Sequence, residues 1–581
     1  MSPLILPNGF TIDDRQVRSC FLQKPYAPPP KQLELLMNAV CLRDGAQAAK
    51  HPPDEKEAVA YAQELVRFGI QGIEAGNVPA QNNHIRAIAE RIGSMSLPKT
   101  SVYGIHPRIS AFARLVHEDI VQAMQSVRSA PNRGVHTYMS HSQVQYPYKF
   151  DGLKAQHGLS GQDFALFIEK VVLPTIDREF KFIKDADPEC HLRYSPEDVT
   201  RSDPWIIQKV ILKAAESGVD CINLPDTAGI SNPWLITEFV HWIRTILDEA
   251  GYPHVTIAFH GHNDITMAVA NSMGAVLGGA TEIDVTTSGR GERLGNTSVE
   301  GFLLMIDTQR AFLEQCLGAE LIDPWQRKNL VALAEAAAEA FHGEIPDEAP
   351  VVSQRSNQQC AGVHVDTIRK ARLAGDPRPM YAAYNPETYG ARTSFFLNAL
   401  AGRSTLMQVL EEMGLPFRNQ DTQEFAKRMR QAFDQRTASL DEGEIVERIY
   451  DPTIIALTGG PYIADDVIIH PDKSVEIHTS DGQTLKGIPA GGAAIDATIH
   501  ALRQLTPNLA IEDFGGAIKP ANKDQGSAAP DVSCAQLHNG ISVTAHAEHT
   551  DTERAGVLAV IKAFNALWAR KKYAQLLKNT D

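Results

Sequence analysis

Short apolar runs alternate with longer amphipathic stretches along the first half of the chain. Stretches such as 54–68 and 232–250 space their apolar residues by three and four, which predicts helices. The runs between such stretches have the composition of buried strands. These eight runs cover residues 37–44, 70–76, 108–114, 134–140, 190–195, 219–226, 255–261 and 282–288. Eight strand–helix units in this length predict an α/β fold, a (β/α)8 TIM barrel, over residues 31–320.

The pattern changes twice after the predicted barrel. Segments 324–341 and 425–450 are rich in Ala, Glu and Arg with helical periodicity, which predicts a helical linker region over 321–450. From residue 451 strand-like runs return, the first at 453–460, and a group of strands followed by a helix occurs twice. We therefore predict a C-terminal α+β domain over 451–581 and treat residues 1–30 as an N-terminal extension.

Composition excludes several classes of partner. The 581 residues carry a formal net charge of −15 and contain no dense Lys/Arg block, so neither nucleic acid nor an anionic membrane is expected to bind. The sequence contains no run of about 18 apolar residues, the length that is needed to cross a bilayer. The seven cysteines are scattered without a CxxC pair, which favours a reducing compartment and predicts a cytoplasmic location.

Polar residues stand at or near the ends of most predicted strands, where a TIM barrel carries its catalytic groups. They are Arg43 and Asp44 on the first strand, Glu74 on the second, His136 on the fourth, Ser195 and Glu197 on the fifth, Asn223, Asp226 and Thr227 on the sixth, His260 and His262 on the seventh, and the turn 289–296 after the eighth. These side chains are expected to meet at one face of the barrel.

The sequence His260-Gly261-His262 closes the seventh strand. Alternate residues of a strand share a face, so both imidazoles can point at one divalent ion, with Asp44, Asp264 and Asn296 as candidate oxygen donors. An isolated pair of this spacing is more often one helix-capping ring and one buried, hydrogen-bonded ring. The position at the catalytic face of a barrel favours the metal site, and we assign Asn263 and Asp264 to supporting the imidazoles rather than to binding the ion.

A glycine-rich turn, GRGERLGN at 289–296, follows the eighth strand. Barrels often bind phosphate at this place, so Gly289, Gly291 and Asn296 are candidate contacts for a phosphate or diphosphate of a co-substrate. The alternative is an ordinary tight loop. Arg43 has a similar ambiguity: it could form only a structural ion pair with Asp44, or it could stabilise developing negative charge.

Six motifs in order resemble the signature set of the 2-isopropylmalate synthase and homocitrate synthase family, most closely the 2-isopropylmalate synthases. They are LRDGAQ (42–47), GIEAG (72–76), SPEDVTRSD (195–203), INLPDTAG (222–229), HGHND (260–264) and GRGERLGNTSVEG (289–301). Later segments, CAGVHVD (360–366) and YAAYNPETYGA (381–391), are similar to those that follow the barrel in these synthases. The resemblance implies a barrel, a helical linker and a C-terminal regulatory and dimerisation domain.

The resemblance also implies an activity and its residues. Enzymes of this family condense acetyl-CoA, as co-substrate, with a 2-oxo acid, and they use a divalent metal such as Mg, Mn or Zn. The implied metal ligands are Asp44, His260 and His262, with Asn296 as a further ligand or neighbour. Arg43 would stabilise the enolate and Glu74 would orient Arg43.

The remaining implied roles concern the substrates. The implied contacts of the 2-oxo acid are Gln47, Phe112, His136, Ser195 and Thr227. The candidates for proton transfer are Glu197, His364 and Tyr381. The family resemblance further implies a homodimer, and 2-oxoisovalerate, giving 2-isopropylmalate in leucine biosynthesis, is the first expectation for the acceptor.

Departures from the family pattern leave the acceptor open. Phe112 stands where these synthases commonly have leucine, and His141 and Gln143 stand where smaller or apolar residues are usual. Because polar groups reshape what a pocket accepts, the acceptor could be a different and more polar 2-oxo acid. The alternatives are citramalate, homocitrate or a specialised alkyl- or phosphonomethyl-malate synthase, and a metal-dependent aldolase or lyase on the same barrel.

Overall fold

The structure is a computed structural model, and it describes residues 4–5, 11–12, 32–78, 80–99, 101, 104–434, 438–460, 462–489, 493–505, 514–519, 531–538, 542–549 and 552–578. Most of the predicted N-terminal extension, 1–30, lies outside the described residues. Two compact units divide the chain. The first holds residues 1–357 and 383–393, and the second holds 358–382 and 394–581.

Eight parallel strands close into a barrel in the first unit, which confirms the predicted fold class. We label them β1 (Leu36–Ala39), β2 (Gly72–Asn77), β3 (Arg108–Arg114), β4 (Arg133–Ser140), β5 (His191–Glu197), β6 (Cys221–Asp226), β7 (Thr256–Gly261) and β8 (Glu282–Val285). Each strand pairs with its neighbour in sequence, and β8 pairs with β1 to close the barrel.

Helices surround the barrel and cover its outer face. The longer helices of this unit are Glu55–Phe68, Asn82–Arg91, His117–Val127, Leu173–Ala186, Pro204–Glu216, Pro233–Glu249, Ala268–Gly278, Val299–Leu317 and Leu330–Ala340. The shorter helical segments are Ala46–Ala48, Tyr146–Tyr148, Asp151–Gln156, Phe164–Phe167, Ile168–Val172, Val199–Arg201, Thr287–Gly289, Arg327–Asn329, Arg355–Asn357 and Pro386–Tyr389. A further parallel pair joins Gln32–Glu34 to Glu320–Ile322. Across the described ranges, no helix is both long enough and apolar enough to span a bilayer.

The strands carry apolar residues outward and polar residues inward. Ile109 and Ile283 are fully buried in the apolar core beneath the helices. Because side chains alternate along a strand, Arg108 and Glu282 on the same strands face the interior. There, Nη2 of Arg108 donates to Oε2 of Glu282 at 2.7 Å across the barrel. Much of the interior is therefore held by paired charges rather than by apolar packing.

The first predicted strand, 37–44, is wrong at its end. Strand β1 stops at Ala39, and Cys41–Gly45 form one turn of π-helix. The backbone amides of Arg43 and Asp44 both donate to the carbonyl of Val40, at 3.2 and 2.8 Å. This turn bends the chain over the barrel mouth and brings two consecutive side chains to the same end of the barrel.

The compact units do not follow the predicted boundary at residue 320. Trp325 is buried in the barrel unit, and its Nε1 donates to Oε1 of Gln71 at 3.1 Å. Further along, the hydroxyl of Tyr389 donates to Oδ2 of Asp307 at 3.0 Å. Segments that the sequence placed in the linker thus complete the hydrophobic core of the barrel unit.

The second unit contains helices and then two groups of strands, each followed by a helix, as the sequence predicted. Its helices are Gly362–Leu373, Arg403–Glu412, Thr422–Phe433, Glu442–Ile445, Val446–Tyr450, Asp451–Leu457, Ala494–Leu505 and Thr552–Lys578, with a short turn at Asn419–Asp421. Its antiparallel sheets are Ile463–Ile469, Val475–Thr479 and Thr484–Gly487, and Phe514–Lys519, Asp531–His538 and Ser542–His549. A short parallel pair joins Gln358–Gln359 to Ser394–Phe395. The run 453–460, predicted as a strand, is wrong: its first residues continue the preceding helix, as Asp451–Leu457.

A pair of tryptophan substitutions tests whether the segment after residue 320 belongs to the barrel core. Trp325→Ala removes a fully buried indole and should lower the free energy of unfolding by about 3–5 kcal/mol. Trp205→Ala is the matched control, because its side chain is 63% exposed, and it should leave stability nearly unchanged. Urea denaturation followed by circular dichroism gives both values. Equal denaturation midpoints for the two variants would contradict the assignment.

Candidate active site

Asp44, His260 and His262 converge at the carboxyl end of the barrel. Oδ2 of Asp44 lies 3.2 Å from Nε2 of His260 and 3.9 Å from Nε2 of His262. The two Nε2 atoms are 3.3 Å apart. All three side chains are buried, and they offer ligand atoms close enough together to share a metal ion. The structure brings together the three residues that the sequence singled out as metal ligands.

Local structure explains this convergence. His260 lies near the end of β7, and His262 follows the strand, forming an isolated bridge with Asn296 of the glycine-rich turn. Asp44 arrives from the π-helical turn after β1. The backbone N–H of Glu292 donates to Oδ1 of Asp44 at 3.1 Å, which leaves Oδ2 directed toward the histidines. Three strand ends are thus tied together around one point.

Asn296 supplies the observation that tests whether a metal fits. Its Nδ2 lies 3.3 Å from Nε2 of His260 and 3.4 Å from Oδ2 of Asp44, whereas its buried Oδ1 has no hydrogen-bond partner in the described part of the chain. The two atoms of an amide are exchanged by a flip about the terminal bond. The flipped amide turns its oxygen toward the nitrogen and carboxylate donors, a set that suits a divalent ion.

The glycine-rich turn lets Asn296 approach. A Cβ atom on Gly291 would lie 1.9 Å from Oδ1 of Asn296, so no larger residue fits there. The amides of Gly289, Glu292 and Gly295 all donate to acceptors within the protein. These hydrogen bonds shape the turn around Asp44, His260 and His262, which we call the metal group. A contact of Gly289 or Gly291 with a co-substrate phosphate stays a prediction.

Asp284 orients His260, a role that the sequence analysis missed. Nδ1 of His260 lies 3.0 Å from Oδ2 of Asp284, whose Oδ1 accepts from Nη2 of Arg193 at 2.7 Å. The available signal in the sequence was an acidic residue, Asp284, inside the buried strand EIDV. A carboxylate on one ring nitrogen directs the other nitrogen toward a metal.

Asn263 and Asp264, expected from their position to support the imidazoles, do something else. Oδ1 of Asn263 accepts from the backbone N–H of Ala268 at 3.2 Å. Asp264 forms a two-point ion pair with Arg293, at 2.6 and 2.9 Å, and Arg293 also donates to the carbonyl of Thr227 at 2.8 Å. The expectation of imidazole support is wrong for both residues, since the pair instead joins the loops after β6, β7 and β8.

Electrostatics hold Asp44 and His262, but not His260, in the protonation states that bind a metal. Burial alone would raise the pKa of Asp44, but Arg43 and the two histidines outweigh it and hold the pKa well below its usual range. Burial and the neighbouring His260 lower the pKa of His262 to about 3. Burial also opposes charge on His260, yet its hydrogen bonds to Asp284 and Asp44 raise its pKa. An anionic Asp44 and a neutral His262 are the forms that coordinate metal ions.

Arg43 lies beside the metal group and is fixed from three sides. Its Nε donates to Oε2 of Glu74 at 2.6 Å, and its Nη1 lies 3.1 Å from Oδ2 of Asp44. The guanidinium also lies over the ring of Phe112, 4.4 Å from the centroid. The predicted orienting role of Glu74 agrees with this contact. A permanently charged, immobilised guanidinium can stabilise an oxygen that becomes negative.

Hydrogen bonds continue from Glu74 around the mouth of the barrel. Oε1 of Glu74 bonds to Nδ1 of His136, and Nε2 of His136 lies 2.8 Å from Oγ of Ser195. Nδ2 of Asn223 also donates to Oγ of Ser195, at 2.8 Å. Burial would raise the pKa of Glu74, but Arg43 and His136 outweigh it and lower the pKa to about 2. Glu74 is therefore a carboxylate that can only accept.

A cavity of about 380 Å³ opens onto these groups. Its described lining residues are Arg43, Asp44, Gln47, Phe112, Tyr138, Lys149, Ser195, Glu197, Asn223, Pro225, Thr227, His260, His262, Glu292 and Arg293. The predicted substrate contacts Gln47, Phe112, Ser195 and Thr227 are among them, whereas His136 lies behind Ser195. Glu197, a proton-transfer candidate, lines the cavity with its Oε1 2.6 Å from Nζ of Lys149.

Tyr138 is a pocket residue that the sequence analysis did not single out. It lies two residues after His136 on β4. Residues two apart on a strand point to the same face, so this spacing was the available signal. Its ring stacks on Phe112 with centroids 4.5 Å apart and planes 3° from parallel. Phe112 is thereby held between Tyr138 and the guanidinium of Arg43.

The two polar departures that suggested a polar acceptor do not line the described cavity. His141 is completely buried, and its Nε2 bonds to the hydroxyl of Tyr194, whose side chain points away from the barrel interior. Oε1 of Gln143 accepts from the backbone N–H of Asp203 at 3.0 Å. The expectation that His141 and Gln143 reshape the pocket is wrong, because both side chains serve the loops outside it.

His364 and Tyr381 belong to the second compact unit. Their rings stack there with centroids 3.9 Å apart and planes 16° from parallel. Tyr381 is 51% exposed and has a positive φ of 58°. Their predicted part in proton transfer stays a prediction.

Comparisons with known proteins extend this picture. A family model described as HMGL-like matches residues 35–328, about half of the 581-residue chain. A 2-isopropylmalate synthase of Synechococcus sp. strain CC9605 is 26% identical over 555 residues, covering 93% of this chain and 96% of the relative. A 2-isopropylmalate synthase of a Synechocystis species is 25% identical over 550 residues, covering 92% of this chain and 96% of that protein.

Solved structures give a weaker match. The hydroxymethylglutaryl-CoA lyase of Pseudomonas aeruginosa is 16% identical, with a TM-score of 0.39, and the overlap covers 60% of this chain and 99% of that one. A score at this level carries no information about activity. The family match is the stronger finding, because it spans every strand of the closed barrel and every candidate ligand. The chain is an enzyme, and it belongs to the HMGL-like family.

Proposed function

We propose that this enzyme is an acyltransferase that condenses acetyl-CoA with a 2-oxo acid and then hydrolyses the CoA thioester. The first choice of acceptor is 2-oxoisovalerate, with 2-isopropylmalate and CoA as products and leucine biosynthesis as the setting. One observation carries the proposal: a group of Asp44, His260 and His262 lies beside the paired Arg43 on a cavity wall. Relatives named for this reaction match the chain along nearly its whole length.

The proposed chemistry assigns a task to each group around the cavity. When bound, a divalent metal held by Asp44, His260 and His262, with Asn296 nearby, would polarise the ketone of the 2-oxo acid. Arg43 donates to the thioester oxygen as that oxygen becomes an enolate, and Glu74 keeps the guanidinium in place. The enolate carbon then forms a bond to the ketone carbon, the π electron pair of the ketone moves onto its oxygen, and that oxygen takes up a proton to become the hydroxyl group of the product. Water breaks the thioester bond and releases CoA.

A base must remove a proton from the methyl group of acetyl-CoA, which is a weak carbon acid. Glu197 lines the cavity and is our first candidate. His364 and Tyr381 are candidates from the second unit, and we propose that a homodimer is the active form. Gln47, Phe112, Ser195 and Thr227 line the same cavity and are proposed to contact the acceptor, with His136 acting through Ser195.

A thiol-release assay tests the reaction. The purified protein is incubated with acetyl-CoA, Mg²⁺ or Mn²⁺ and one of several 2-oxo acids, and free CoA is followed with a thiol reagent. We expect release to require both an acceptor and the metal, and to be fastest with 2-oxoisovalerate. No release with any acceptor would refute the synthase, and cleavage of a 4-hydroxy-2-oxo acid by the same preparation would favour the lyase instead.

A histidine pair tests the metal site without an activity readout. His260→Ala removes one of three ligands and should weaken Mn²⁺ binding by 100-fold or more, on the order expected for losing a direct ligand rather than a supporting contact. His254→Ala is the matched control: this exposed histidine precedes the same strand and should leave the affinity unchanged. Isothermal titration measures both. If the two variants bind Mn²⁺ equally well, the ligand assignment is wrong.

A further inference from the structure

One ion pair on the rim of the cavity links three loops of the barrel. Nε and Nη2 of Arg293 donate to the two carboxylate oxygens of Asp264, at 2.6 and 2.9 Å, and Nη2 also donates to the backbone carbonyl of Thr227 at 2.8 Å. These residues follow β8, β7 and β6 in turn. The side chain of Arg293 is 45% exposed, and an exposed ion pair adds little stability. A role in placing the loops is therefore the better explanation of this contact.

The backbone is adapted to the pair at two positions. Arg293 has a positive φ of 57°, which costs free energy in a residue other than glycine. Gly229 has a φ of 62°, and a Cβ atom there would lie 2.5 Å from Oδ2 of Asp264. The loop after β6 thus packs directly against the carboxylate, and the loop after β8 adopts an unfavourable conformation at the residue that reaches it.

Thr227 is held at both its backbone and its side chain. Its carbonyl accepts from Arg293, and its Oγ1 accepts from the backbone N–H of Asp198 at 3.0 Å. A hydroxyl has one proton and two lone pairs, so the N–H of Asp198 uses a lone pair and leaves the proton available. Among the described residues no acceptor for this proton is present, and Thr227 lines the cavity. The hydroxyl can therefore donate to an anionic oxygen of a ligand.

The metal group has supports of its own that do not involve the side chain of Arg293. The backbone N–H of Glu292 donates to Oδ1 of Asp44 at 3.1 Å. The backbone N–H of Asn263 donates to the carbonyl of Gly295 at 2.9 Å. These contacts join the turn after β1 and the loops after β7 and β8, and Arg293 adds the loop after β6 to them. Loss of its side chain should therefore displace Thr227 more than the metal ligands.

We propose that Arg293, fixed by Asp264, is a positioning residue for the acceptor: it holds the backbone of Thr227 so that the Thr227 hydroxyl donates to the carboxylate of the bound 2-oxo acid. This inference rests on the proposed condensation. It goes beyond that proposal by giving the ion pair a role in acceptor affinity that is separate from metal binding. Both charged residues act through Thr227 and do not touch the reacting atoms.

A double-mutant cycle tests whether Arg293 acts through Thr227. Thr227→Val removes the hydroxyl and keeps the branched shape, and Arg293→Ala removes the clamp. Isothermal titration of the Mn²⁺-loaded protein gives the Kd of the 2-oxo acid that binds tightest in the panel used for thiol release. Each single variant should raise this Kd by about tenfold, the scale of one hydrogen bond to a charged group. Adding Arg293→Ala to Thr227→Val should change it by less than about twofold, because the contact that Arg293 positions is already lost.

Matched variants control for the loss of an ion pair and for folding. Arg133→Ala removes a similar two-point pair, with Asp187 at 2.5 and 2.7 Å, at the opposite end of the barrel, and should leave the Kd unchanged. Circular dichroism checks that each variant folds. Asp264→Asn weakens the same clamp without removing a large side chain, and it takes the place of Arg293→Ala in the cycle if that variant does not fold.

The outcomes separate this inference from the proposed function. Additive losses in the double variant, or a wild-type Kd in Arg293→Ala, would overturn the inference. Weaker Mn²⁺ binding by Arg293→Ala would also overturn it, because the pair would then serve the metal group. Wild-type protein that binds a 2-oxo acid but releases no CoA from acetyl-CoA would refute the condensation alone. Wild-type protein that binds none of the 2-oxo acids would refute both.

Discussion

The ion pair between Arg43 and Glu74 is the interaction on which the rest of the barrel mouth depends. Both groups are buried, and a buried charge without a partner is strongly destabilising. Each of them therefore determines the protonation of a neighbour: Glu74 fixes the proton on His136, and Arg43 helps to keep Asp44 ionised. Removing either partner would leave a charge in the interior and disturb the metal group and the acceptor pocket together.

From this pair the hydrogen bonds extend around the whole mouth. One direction leads through His136 and Ser195 to Asn223, and the other leads through Asp44 to His260 and Asp284. Arg193 joins the two directions, since it donates to both Asn223 and Asp284, at 2.9 and 2.7 Å. The network is closed, so each of its side chains is held by at least two others. Preorganised donors of this kind cost no reorganisation when charge develops on a substrate.

Sequence periodicity was sufficient for the architecture and for part of the site. Eight strand runs predicted the closed barrel, and the alternate spacing of His260 and His262 predicted a shared face. Periodicity does not tell where a strand stops, and so it missed the π-helical turn that presents Arg43 and Asp44. It also misread the run at 453–460, whose β-branched residues continue a helix because the preceding turns are already helical.

Contacts across the barrel could not be predicted from the sequence alone, because they depend on the register between distant strands. Asp284 and Arg193 could be recognised as buried charges, but not as partners on β8 and β5. His141 looked like a pocket residue because it departs from the family pattern, yet it follows the end of β4 and bonds to Tyr194. Crystals soaked with Mn²⁺ and a 2-oxo acid provide the most direct test of the central claim. Anomalous scattering should place one Mn²⁺ between Oδ2 of Asp44 and the Nε2 atoms of His260 and His262, with the 2-oxo acid in the cavity beside Arg43 and Ser195. A metal bound elsewhere, or a 2-oxo acid that does not reach these residues, would contradict the account.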